Sequence, residues 1–171
     1  MKALVALSAL ALVAGCSDRR NGESAEDFAE RTGAGAAAQG GEAAPLGEVN
    51  AQPVVAPTGS SVLTPLAPTA PKALGAIAGA CSFVYQGRSL LVAGADDAAG
   101  AGVRGVLVID RKEVSLPGAP AGTAQVVANG VTLAANGYSV AVKPGSGSAV
   151  LTINGPQGET TFAPGSWNCA R

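Results

Sequence analysis

From Ala76 to Arg171 the chain is cut into short apolar runs by Gly, Asn, Asp and Pro about every 6 to 12 residues, and this spacing constrains the fold more than any other feature. Runs that short cannot form helices of stable length, but they match strands of about 5 to 6 residues joined by tight turns. Phe83 and Tyr85 follow Cys81 in alternation with Ser82 and Val84, and Tyr138, Val140 and Val142 alternate with Ser139, Ala141 and Lys143, so each run has one apolar face. Gly105–Ile109 is apolar throughout, as expected of a central strand. Asn129-Gly130, Asn136-Gly137 and Asn154-Gly155 supply residues that tolerate positive φ in hairpin turns. On this reading the strands are Cys81–Tyr85, Ser89–Ala93, Gly105–Ile109, Glu113–Leu116, Ala124–Ala128, Val131–Ala134, Tyr138–Val142 and Ala149–Ile153. Thr160–Phe162 and Trp167–Cys169 close the series. The predicted fold is all-β, a small antiparallel sandwich or barrel of about eight short strands.

Such a domain has few large side chains, since the whole chain holds 6 aromatics among 171 residues. A thin core needs a staple. Cys81 and Cys169 stand near the two ends of the domain, and a disulfide between them would close a loop long enough to contribute about 4 to 5 kcal/mol in the chain-entropy model. The alternative, a redox-active thiol pair, does not suit so wide a spacing.

The N-terminus carries a different signal. Met1 and Lys2 precede an apolar run from Ala3 to Gly15, 13 residues long. That is short of the roughly 20 needed to span a bilayer, and Asp18, Arg19 and Arg20 follow, so 1–15 reads as a removable signal peptide. Val13, Ala14, Gly15 and Cys16 resemble the lipobox of bacterial lipoproteins. That resemblance implies lipidation of Cys16, which becomes the mature N-terminus, and anchoring in the cell envelope membrane. Lipidation also removes the odd cysteine of three. The alternative is an ordinary signal peptide cleaved elsewhere. In a Gram-negative host, Ser17 rather than Asp after the cysteine resembles the lipoproteins sorted to the outer membrane, facing the periplasm.

Residues 16–75 read as a disordered tether. From Ser17 to Gly75 there is one aromatic, Phe28, and six prolines, at 45, 53, 57, 65, 68 and 71, with Ala and Gly dominating Gly33–Ala44. Pro65, Pro68 and Pro71 at every third position favour a semi-rigid polyproline spacer, or alternatively a ligand for a proline-binding module. Such a tether would reach about 40 to 45 Å root-mean-square, with the β domain at 76–171 beyond it.

Composition excludes several functions. A formal net charge of -1 leaves no basic footprint for nucleic acid. The absence of His removes the usual general base, imidazole triads and the commonest metal ligand. Asp96 and Asp97 lack the alternating ligands and closing Glu of a calcium loop and read as a solvated turn. Paired carboxylates for glycoside chemistry would have to come from Asp96, Asp97, Asp110, Glu113 and Glu159, and no serine sits in a nucleophile motif. Gly145–Ser148 reads as a hairpin tip, not a phosphate cradle. No enzyme, metal or cofactor is expected. The remaining candidates are Tyr138 and Trp167, either as core or rim residues or as recognition aromatics, with Trp167 able to reach the disulfide. A β domain with Cys81, Tyr85, Gly137, Tyr138, Trp167 and Cys169 in this arrangement is weakly similar to the membrane-bound inhibitors of C-type lysozyme. That similarity implies a cell-wall enzyme as partner. The expected function is a non-catalytic, lipid-anchored module that binds an envelope protein or wall component, with a lysozyme inhibitor or other cell-wall enzyme modulator as the alternative.

Overall fold

The computed structural model describes residues 44–96 and 102–170. Cys16 and Asp97, and with them the signal peptide and the first part of the expected tether, lie outside the described residues. The strands are β1 (Val54–Val55), β2 (Val62–Thr64), β3 (Gly79–Tyr85), β4 (Arg88–Ala95), β5 (Arg104–Ile109), β6 (Lys112–Pro117), β7 (Val131–Ala135), β8 (Tyr138–Pro144), β9 (Ala149–Gly155) and β10 (Gly158–Ala170). All pairings are antiparallel, so the fold is all-β, as the alternation predicts. Eight strands in the order β6-β5-β4-β3-β10-β9-β8-β7 curl around one core, and the end strands β6 and β7 meet without ladder pairing.

Local turn chemistry fixes the hairpins. Gln86-Gly87, Asp110-Arg111 and Asn136-Gly137 each place both loop residues at positive φ, matching the right-handed twist of the strands they join. At the β8–β9 tip the Gly145 N–H donates to the Ser148 carbonyl at 2.7 Å, the hairpin tip expected from Gly145–Ser148. Inside, Phe83, Leu91, Leu107, Leu133, Val140, Leu151, Ile153 and Phe162 are fully buried in a single cluster. The Tyr85 ring meets Phe162 edge-on with centroids 5.7 Å apart.

The expectation of a disordered tether up to residue 75 is overturned for 44–75, which belongs to the fold. The reason lies in β4 and β5, whose continuous apolar runs bury both faces. Their inward residues fill the barrel, and their outward residues Val92, Val106 and Val108 need a second cover. Leu46, Leu66, Ala70 and Leu74 supply it in a separate outer cluster. The cover is tied down along its length. β2 extends the sheet beside the end of β5 through Leu63↔Ile109, the Leu46 N–H donates to Glu113 Oε1 at 2.8 Å, and the Leu66 N–H donates to the Ser89 carbonyl at 2.8 Å. Pro71 opens a 3-10 turn over Ala70–Leu74, so the Pro65, Pro68 and Pro71 stretch is not a free polyproline spacer.

Two smaller expectations also change. Ala124–Ala128 is not a strand but one helical turn, α1. The Thr123 hydroxyl caps its start by accepting from the Val126 N–H, and Asn129 ends it, followed by Gly130 at φ +109°. Asn-Gly serves here as a helix stop, a role that the dipeptide also favours. Thr160–Phe162 and Trp167–Cys169 are not separate strands. They form one long β10, whose first half pairs with β9 and whose second half pairs with β3 after a bulge between Phe162 and Gly165.

Candidate functional site

The second half of β10 brings the candidate residues onto one strand. Cys169 lies directly opposite Cys81 in the ladder, and the two form a disulfide with Cα atoms 4.0 Å apart. The bridge links neighbouring strands that are 88 residues apart in the chain, as the positions of the two cysteines near the domain ends led us to expect.

Trp167 lies two residues earlier, opposite Phe83, and is half-buried against the main core. Its indole Nε1–H donates to the Val127 carbonyl of α1 at 3.0 Å. The same carbonyl accepts from the Gly130 N–H at 3.0 Å, so the indole adds a second bond at the C-terminal end of the single-turn helix and holds the ring in one orientation. Next to it Gly165 leaves room for Phe83, since a Cβ there would stand 2.3 Å from the ring.

β9 pairs no further along β10 than Gly165, and the two strands part there. The gap is a slot of about 260 Å³ walled by Ser166, Trp167 and Asn168 on one side and by Pro144, Gly145, Gly147 and Ser148 of the β8–β9 tip on the other. No wall residue is charged. The Asn168 amide donates to the Ser166 hydroxyl at 3.2 Å along the exposed side of the strand.

Tyr138 is not part of this site. It begins β8, and its ring rests on Gly155, where a Cβ would come within 2.7 Å of two ring carbons. Pro144 of the slot ends the same strand, so Tyr138 stands about 20 Å, six residues at ~3.4 Å each, from the slot along β8. The slot itself, which depends on where β9 and β10 part, has no sequence signature. Its nearest hints were the single Trp and the Gly-Ser tip.

Two of the five acidic residues that were candidates for paired carboxylates hold the fold together. Asp110 Oδ1 accepts from the Val62 N–H at 3.2 Å, and Glu113 holds Leu46. Among the described residues no three Cys, Asp or Glu side chains cluster to hold a metal ion, and no helix is long and apolar enough to cross a membrane. No family model, curated protein or solved structure matches this chain.

Proposed function

We propose that the protein is a bacterial envelope lipoprotein, anchored through lipid on Cys16, whose non-catalytic β barrel binds another envelope component. The observation that carries this reading is the division of the cysteines. Of three in the chain, Cys81 and Cys169 bond to each other, so the remaining one is the cysteine that ends Val13-Ala14-Gly15-Cys16 behind a 13-residue apolar run. A single acyl chain gives marginal membrane binding, whereas the several chains of such lipoproteins hold firmly. With Ser17 next to the cysteine, the destination in a Gram-negative host is the outer membrane, facing the periplasm.

A binding role suits the side-chain chemistry better than a catalytic one. The chain has no His, and two of the acidic side chains are occupied as acceptors of structural N–H bonds. The alternative, a lysozyme inhibitor, would draw on Tyr138 and Trp167 together, and the distance of Tyr138 from the slot along β8 speaks against a shared surface. Mass spectrometry of the N-terminal peptide from membranes tests the anchor. Acylated Cys16 is expected, and an unmodified terminus at Ser17 or later overturns the reading.

A further inference from the structure

Ser166–Ala170 pairs with β3 on one side, and on the other no strand among the described residues pairs with it, because β9 ends its pairing at Gly165. The 4.0 Å Cα spacing of Cys81 and Cys169 is the short spacing of a non-hydrogen-bonded antiparallel pair. Pair types alternate every residue along such a ladder, so Trp167, opposite Phe83, is also in a non-hydrogen-bonded pair. The backbone N–H and C=O of Trp167 and Cys169 therefore point away from β3, on the side where the slot opens between β10 and the β8–β9 tip. Such a row of backbone groups is a template for another strand.

We propose that this slot takes a single extended, uncharged peptide segment of a partner envelope protein, added as a strand beside β10. The inference rests on the binding role given above and names the kind of partner. Three features favour this occupant. The wall is three consecutive residues of one strand, so it presents both faces and the edge of β10, which an incoming strand contacts together and a ring stacked on one face does not. The opposite wall of Pro144, Gly145, Gly147 and Ser148 stands across the edge, and a slot of about 260 Å³ suits a short length of one chain better than the edge of a second folded barrel. The Gly and Ser of the tip leave space for the side chains of the added strand, and the fixed Trp167 ring offers apolar contact with little entropy left to lose. Main-chain bonds would give affinity and the ring would give selectivity.

The test is selection from a displayed random-peptide library on the detergent-solubilised mature protein. Selected sequences are expected to be uncharged and alternately apolar. The synthetic peptides should shift the emission of Trp167, the only tryptophan, in a saturable way and slow hydrogen exchange at the Trp167 and Cys169 amides. Methylating the peptide nitrogens on one edge should weaken binding about tenfold or more, as expected for losing two or so backbone bonds. Ser148→Phe, at an exposed position of the tip, should fill the slot and do the same. The proposal is overturned if no sequence family emerges, if the family is charged, if the two amides exchange as in the free protein, or if neither change weakens binding. Selection of no peptide while wall glycan co-purifies would overturn the slot and leave the anchored module standing. An unacylated Cys16 would do the reverse.

Discussion

Leu63→Ala measures whether the Pro-rich segment before the barrel is tether or structure. Leu63 sits in β2, pairs with Ile109 and is 0% exposed within the main core. The change removes three carbons from that core, about 2.4 kcal/mol at ~0.8 kcal/mol per carbon. The cavity left behind adds a further ~1 kcal/mol or more, because a site framed by ladder pairs collapses poorly. The total is about 3 to 4 kcal/mol, a large share of the 5 to 15 or so that a domain of this size has. Urea unfolding followed by Trp167 fluorescence reads the loss, and since Trp167 is distant from Leu63 in the sheet, a shifted midpoint at unchanged slope reports the whole barrel. Val55→Ala, in the adjoining β1 at 64% exposure, serves as control and should stay within about 0.5 kcal/mol. A Leu63→Ala protein as stable as wild type would refute the packing of 44–75 and restore the tether.

Replacing both Cys81 and Cys169 by Ala should cost about 4 to 5 kcal/mol for a loop of this length, and thiol titration of the denatured, unreduced mature protein should find neither cysteine free. Arg111 occupies the second loop position of the β5–β6 turn at φ +65°, where a side chain is strained by about 1 to 2 kcal/mol. Arg111→Gly should therefore stabilise the fold by roughly 0.5 to 1 kcal/mol after the entropy cost of glycine, seen as a raised melting temperature. A lowered one would show that the arginine side chain matters more than its backbone.

Much of the barrel is legible in the sequence because the signals that specify it are local. The alternation at Cys81–Tyr85 and Tyr138–Val142 sets the face that turns inward, and Asn136-Gly137 sets a hairpin whatever surrounds it, since both effects act within a few residues. The pairing of Cys81 with Cys169 was legible from their places near the two ends of the domain. Other features depend on what lies across the fold. Leu46, Leu66 and Leu74 follow no local period, because they cover the outer face of β4 and β5 from loops and a 3-10 turn. The need for that cover shows only in the unbroken apolar runs of Leu90–Ala95 and Gly105–Ile109, on strands further along the chain. Asn129-Gly130 has the same local chemistry as Asn136-Gly137, yet it ends a helix because the Thr123 cap, the burial of Val127 and the Trp167 indole favour α1 over a strand. The parting of β9 from β10 is likewise decided by the bulge before Gly165 and by which neighbour each half of β10 meets. The sequence alone determined most of the barrel strands, the hairpin at Asn136-Gly137 and the bridge. Only the tertiary structure decided what closes over them and where one edge stays open, because those outcomes depend on surfaces that meet from distant parts of the chain.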